Sequence, residues 1–181
     1  MTEEYFAKIK ERYDNFHRFL LANGMIPARD TGIGYWGVTP VQEVYELFKR
    51  IGLERYKSFL DLGSGDGRVV LTASLFCPDA HGIEYDEWLS NTALFIRRRI
   101  AAPHFEKTRL LQDDFMKHDL SSYDMMFTHP DKPFFRDGFE SKLQRELNGV
   151  LVVHGWEFHP QHLRREDEHI INGEKFVLYR K

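Results

Sequence analysis

One ten-residue run does most to limit what this chain can fold into. Phe59-Leu60-Asp61-Leu62-Gly63-Ser64-Gly65-Asp66-Gly67-Arg68 passes from an apolar stretch, through three alternating glycines, into an apolar helical pattern. Glycine takes positive φ without a steric penalty and lets a ligand approach the backbone closely. The helix that follows offers N–H groups with no intrahelical partner. An ordinary tight turn between strand and helix needs neither three glycines nor the acid that precedes them. The run therefore predicts a buried strand, a ligand-binding loop and a helix in succession.

The rest of the chain repeats that alternation. Short apolar runs at 58–62, 80–83, 108–111, 124–127 and 150–153 predict strands, and helical spacing marks 68–76, 87–100 and 139–147 between them. Alternating strands and helices imply parallel strands with right-handed crossovers in a three-layer α/β sandwich. The tail departs from this: 168–171 and 175–179 flank Asn172-Gly173, a two-residue hairpin signal. At the other end, Tyr5, Phe6, Ile9, Tyr13, Phe16, Phe19 and Leu20 recur at helical spacing over 2–23, and Gly24 stops the pattern. Residues 25–40 read as a loop bearing Tyr35 and Trp36, and a second helix starts at Pro40 and ends near Gly52. The expectation is one domain over 1–181, with a helix and lid-like loop in 1–40 and a core in 41–181.

Composition narrows the function classes. The chain has 181 residues and a formal net charge of −3, from 25 Lys+Arg against 28 Asp+Glu. A dedicated nucleic-acid binder usually carries a basic excess, so nucleic acid is disfavoured as a partner. The lone cysteine, Cys77, gives no disulfide framework, no apolar run suits a bilayer, and the first residues are acidic and unlike a secretory signal. A cytoplasmic protein without a membrane partner is expected. No Cys pair or helical His-x-x-x-His supports a metal.

The loop also selects among ligands. A dinucleotide fingerprint is G-x-G-x-x-G, whereas this loop is G-x-G-x-G, and no Gly-Lys-Ser/Thr follows it to make a P-loop. Asp61 and Asp66, in and beside the loop, repel a diphosphate and suit a ligand bearing an ammonium or sulfonium. Glu84, 23 positions after Asp61 at the end of the second strand, is placed to accept from a ribose diol, with Tyr85 beside it. At the end of the third strand, Asp114 can receive an adenine amine and Phe115 can cover the base.

Asp61 to Gly67, Glu84 and Asp114-Phe115 resemble successive motifs of class I S-adenosylmethionine-dependent methyltransferases. The resemblance covers about residues 39–181. It implies a Rossmann-like, mostly parallel seven-stranded sheet of order 3-2-1-4-5-7-6, with an antiparallel C-terminal hairpin. It also implies S-adenosyl-L-methionine held by Gly63, Ser64, Gly65 and Gly67 on its methionine side, by Glu84 at the ribose and by Asp114 at the adenine. A narrower similarity lies in Val38-Thr39-Pro40, Gly65-Asp66-Gly67-Arg68, Leu143-Gln144-Arg145-Glu146-Leu147, Trp156-Glu157-Phe158 and the Phe176–Arg180 tail. These are similar to small protein-lysine methyltransferases of archaeal and mitochondrial type, which implies that Thr39 contacts the methionyl end.

The acceptor side is less defined. After strand four the chain reads Phe127-Thr128-His129-Pro130-Asp131-Lys132-Pro133-Phe134, without the Pro-Pro-aromatic motif of many amino-methyltransferases of bases and glutamine. Methylation of a protein side chain, lysine above all, is favoured, with a small molecule or RNA as the alternative acceptor. His129 is a candidate proton acceptor from its strand-end position. Tyr35 and Trp36 are acceptor-site candidates, with Trp156 and Phe158 as further aromatic surfaces. A cofactor-binding module without activity is the rival from another class, and a nicotinamide-dependent reductase is a third reading that the glycine spacing disfavours.

Overall fold

The computed structural model describes residues 2–130 and 136–181. In chain order it contains α1 (Thr2–Ala22), β1 (Ala28–Asp30), β2 (Tyr35–Gly37), α2 (Val41–Ile51), β3 (Ser58–Leu62), α3 (Arg68–Ala73) and β4 (Asp79–Glu84). There follow α4 (Glu87–Ile100), β5 (Arg109–Gln112), β6 (Met125–Thr128), α5 (Phe139–Glu146), β7 (Val150–His154), β8 (Arg164–Ile171) and β9 (Glu174–Arg180).

Seven strands form one sheet in the order β5-β4-β3-β6-β7-β9-β8, parallel except for β9. Counted from β3, this is the expected 3-2-1-4-5-7-6. The chain moves outward from β3 to β4 and β5, then returns to place β6 on the other side of β3. That reversal leaves a crevice at the carboxyl ends of β3 and β6, where open α/β sheets bind ligands.

Alternate residues of the central strands supply the two faces of the core. Phe59 and Phe127 join Leu47, Phe48, Val70 and Phe176 on one side. Leu60, Leu62 and Met126 join Phe115, Leu143 and Leu151 on the other. The C-terminal hairpin turns at Asn172-Gly173, with φ of 51° and 90°, so both residues take the positive φ that a type I′ turn requires. β8 begins four residues before the expected 168. Its added segment, Arg164 to Asp167, is charged and lacks apolar alternation, as suits an edge strand that must not recruit another chain.

Two findings revise the N-terminal expectation. The predicted loop over 25–40 contains the antiparallel hairpin β1–β2, closed by Thr31, whose N–H and hydroxyl both donate to the Gly34 carbonyl. Helix α1, moreover, packs across α2, α3 and α4: Phe6, Ile9 and Tyr13 meet Tyr45, Leu71 and Ile96. Burying its four large side chains, Phe6, Ile9, Tyr13 and Leu20, is worth roughly 6–12 kcal/mol at about 1.5–3 kcal/mol each. That rivals the net stability of a typical domain, about 5–15 kcal/mol, so the buried stripe of α1 belongs to the core.

Candidate active site

The glycine loop turns because all three of its glycines are left-handed, with φ of 77° at Gly63, 54° at Gly65 and 79° at Gly67. Ile83 anchors its start by accepting from the Gly63 and Ser64 N–H groups, and Gly67 N–H returns to the Ser64 carbonyl. The loop borders a cavity whose wall also contains Tyr35, Trp36, Thr39, Asp61, Glu84, Tyr85, Asp114, Phe115 and His129. The structure thus brings the expected residues together at the carboxyl ends of β3, β4 and β6, save Gly67, which is not in the cavity wall and where a Cβ would lie 2.8 Å from Ala93.

A Cβ at Gly63 would meet no atom within 4 Å, so it would project into the cavity. A Cβ at Gly65 would lie 2.4 Å from the Trp36 ring, which places the indole directly against the loop. Trp36 is buried with Leu20 and Leu89, whereas Tyr35 is about half exposed at the cavity edge. The hairpin that carries them is tied down by Arg29, which pairs with Asp86 at 2.9 Å and lies over the Trp88 ring.

Three carboxylates define the electrostatics. Glu84 accepts from Gly65 N–H at 2.7 Å and from Asp86 N–H at 2.8 Å. Burial nevertheless raises its carboxyl above the usual range, against those hydrogen bonds. Asp61 is raised well above it, first by burial and then by the charges of Glu84 and Asp66. A cationic ligand would relieve both. Asp66 does not share that role, and the expectation that both loop acids face the ligand is corrected for it. Its carboxylate is fully buried and committed to Arg68, with Nη2–Oδ2 at 2.6 Å.

At the far wall Asp114 caps a short 3-10 turn by accepting from Met116 N–H, and Arg136 grips it with two hydrogen bonds of 2.5 and 2.7 Å. Phe115 is a core residue packed edge-on against Phe139, with the Arg136 guanidinium 5.4 Å over its ring. Sequence reasoning missed Arg136, because its partner lies 22 residues away and no local pattern links them. It missed Asp86 as well, although an Asp immediately before a helix is a recognisable N-cap, and Asp86 does accept from Leu89 N–H.

On the acceptor side, Thr39 Oγ1 and His129 Nδ1 are 2.8 Å apart, and both line the cavity. Behind His129, with ring centroids 3.9 Å apart, His154 is buried and its Nε2 lies 2.7 Å from Glu174 Oε2. Trp156 and Phe158 do not line the cavity, which corrects their grouping as acceptor surfaces. Lys175 covers the Trp156 ring at 4.4 Å, and Phe158 packs on Phe139. His159 is engaged with the Tyr179 hydroxyl. The strand-four motif runs on into 131–135, which lies outside the described residues. Among the described residues no cluster of His, Cys, Asp or Glu could hold a metal ion.

A seven-stranded sheet in this order, with a glycine loop and strand-end acids around one crevice, defines a class I S-adenosylmethionine-dependent methyltransferase. The profile described as "Histone methylation protein DOT1" matches residues 34–129, just over half of the chain, and the chain belongs to that family. The match runs from the hairpin through the glycine loop to His129. No curated protein sequence matches the chain. Among solved structures it is similar to an RNA methyltransferase from Salinibacter ruber in complex with S-adenosyl-L-homocysteine, at TM-score 0.62 and 21% identity, covering 78% of this chain and 92% of that one. A putative methyltransferase from Escherichia coli gives a TM-score of 0.56 at 20% identity over 77% and 82% of the two chains. A Pyrococcus abyssi tRNA (uracil-54, C5)-methyltransferase gives 0.60 at 14% identity, over 75% of this chain and 38% of that one. At these identities the likeness speaks for the fold.

Proposed function

We propose that the protein transfers a methyl group from S-adenosylmethionine to a nitrogen of a protein side chain, lysine foremost. The observation that carries this reading is the family match over 34–129, which spans the walls of the cavity except Thr31, Ile33 and Arg136. The similarity to archaeal- and mitochondrial-type lysine methyltransferases points the same way, and the net charge of −3 disfavours a polyanionic substrate.

The residues present fit the cofactor. Gly63 leaves the cavity wall open where a side chain would fill it, and the carboxylates are those a sulfonium would relieve. In this reading Thr39, Gly63, Ser64, Gly65 and Gly67 hold the methionine part, Glu84 and Tyr85 the ribose, and Asp114 and Phe115 the adenine. The cofactor supplies a methyl carbon activated by a positive sulfur. What the protein must add is alignment and an unprotonated acceptor. A lysine ammonium of reference pKa near 10.4 costs about 4–5 kcal/mol to deprotonate at pH 7. His129, held by Thr39, is the group in the cavity wall placed to accept that proton, and Tyr35 and Trp36 offer the aromatic surface beside it. No helix of the described residues is long and apolar enough to cross a membrane.

Incubation of the protein with methyl-labelled cofactor and cell extract tests the reading. Label that survives nuclease, is lost to protease and appears as methyl-lysine after acid hydrolysis supports it. Nuclease-sensitive label, or label confined to small molecules, replaces the acceptor. Tight cofactor binding without any label would leave a binding module.

A further inference from the structure

Helix α1 carries a second stripe beside its buried one. Arg12, Asn15, Phe16 and Phe19 follow three- and four-residue spacing, and on α4 positions 88, 91, 92, 95, 96 and 99 do the same. The two stripes face each other across a groove of about 550 Å³. Its floor is apolar: Phe16 and Trp88 are half-buried and pack on the cluster of Leu20, Trp36 and Leu89. Its upper walls are Phe19 and Phe95, which are 58% and 56% exposed. Large rings so exposed, on facing helices, form a contiguous apolar strip of the kind that marks an interaction surface. From 88 to 99 the strip runs about 16 Å, the length of a three-turn helix.

The charges choose the occupant. Among the described residues Arg12 and Arg99 are the charged ones that line the groove, and no carboxylate does. A second copy of this chain docking by the same face would set these arginines against their like, which disfavours self-association. A single-stranded nucleic acid would need open ring faces for its bases. Here Arg99 lies 4.6 Å over the Phe95 ring and Arg29 lies 5.2 Å over Trp88, so one face of each ring is already taken by a guanidinium. An apolar side chain needs only ring edges and the gaps between them.

We propose that the α1–α4 groove docks an amphipathic helix from a partner protein, with apolar residues along one face and acidic residues flanking them. The apolar face fills the space between Phe19 and Phe95, and the flanking carboxylates reach Arg12 and Arg99. The site is distinct from the cofactor cavity. It is joined to that cavity through the cluster of Phe16, Leu20, Trp36, Trp88 and Leu89, and it does not depend on which acceptor is methylated.

Two labelled peptides of about fourteen residues test this, with leucines at i, i+3, i+4 and i+7 and either glutamates or lysines at the other positions. Fluorescence anisotropy with the full-length protein should give saturable binding of the glutamate peptide, at least about tenfold tighter than the lysine one. The Arg12→Glu/Arg99→Glu variant should reverse that preference. Phe19→Ser/Phe95→Ser should lose binding while keeping its melting temperature, since both rings are exposed. Equal affinity for the two peptides, or no saturation of the glutamate peptide up to about 1 mM, overturns the proposal. So does an oligouridine RNA, or a dimer seen in sedimentation, whose binding or assembly the Phe19→Ser/Phe95→Ser variant abolishes.

Discussion

Replacing Asp66 with Ala probes the joint between the cofactor loop and the N-terminal helix. Asp66 is 0% exposed and Arg68 5%. Arg68 Nε donates to Asp66 Oδ1 at 2.9 Å, and Nη2 donates to Oδ2 at 2.6 Å. Truncation leaves the guanidinium with the Thr39 carbonyl at 3.3 Å and the Tyr13 ring at 4.8 Å, neither of which carries a counter-charge, and with the exposed Asp14 as a nearby carboxylate that makes no hydrogen bond to it. Removing one partner of a buried pair typically costs about 3–5 kcal/mol, because the other charge stays buried without compensation. For a chain of this size each kcal/mol moves the melting temperature by about 2–4 °C, so Asp66→Ala should melt about 6–20 °C lower. The double variant Asp66→Ala/Arg68→Met removes both charges and keeps the apolar stem, and it should recover at least about half of that loss. Thermal melts at pH 7 followed by circular dichroism give both values. A single variant within about 2 °C of the wild type, or a double variant no better than the single, would refute the reasoning.

Glu84→Ala should weaken S-adenosylmethionine binding by about 2–4 kcal/mol in calorimetry, the loss of a charged acceptor serving two hydroxyls. The Glu84 carboxyl is raised above its reference of 4.5, so its stabilising effect on the fold is present below that pH and fades as pH rises through the raised value. Cofactor affinity, which uses the carboxylate, should strengthen over the same interval, and an affinity flat with pH would contradict it. Gly65→Val should abolish cofactor binding, since a β-branched residue at a φ of 54° is strained and its Cβ would strike Trp36; normal binding would place the cofactor elsewhere. Burial lowers His154 to about 4, so the stability tied to its neutral form is complete above 6.5 and lost as pH falls through about 4. That fall is worth roughly 3 kcal/mol, and acid melts of His154→Phe should lack it.

The sheet and its order were legible because their signals are local. Apolar runs of strand length, the Gly63–Gly67 turn and Asn172-Gly173 each state their conformation within a few residues. The hairpin β1–β2 was not legible, since strands of three residues have no room for alternation. Ala28, Arg29 and Asp30 are all exposed, so burial never patterned them. Helix α1 was visible as an amphipathic stripe, but a stripe says nothing of its partner. Only the fold shows that Phe6 stacks on Tyr45, with centroids 3.8 Å apart, and that the Tyr13 hydroxyl donates to the Asp66 carbonyl. Trp156 and Phe158 misled because aromatic character does not say which surface a ring faces: one lies under Lys175 and the other packs on Phe139.

The candidate site was legible as a set of residues but not as a network, and the network changes its energetics. Glu84 is held by Gly65 N–H, Asp114 by Arg136, and Thr39 by His129, across separations of 19, 22 and 90 residues that no sequence window spans. Glu84, Asp114 and the Thr39–His129 pair thus already have protein partners. Binding becomes an exchange of partners, and such exchanges return only about 0.5–1.5 kcal/mol for a neutral hydrogen bond. The larger gain must come where the protein cannot satisfy itself. Asp61 and Glu84 share one wall where burial raises both carboxyls and the Glu84 charge raises Asp61 further, and a cationic sulfonium answers both at once. An uncharged analogue of the cofactor, with carbon in place of the sulfonium, keeps every hydrogen bond but forgoes that term. It should therefore bind several-fold more weakly than S-adenosylmethionine. Equal affinity of the two in calorimetry would show that hydrogen bonds alone, and not the buried acids, select the ligand.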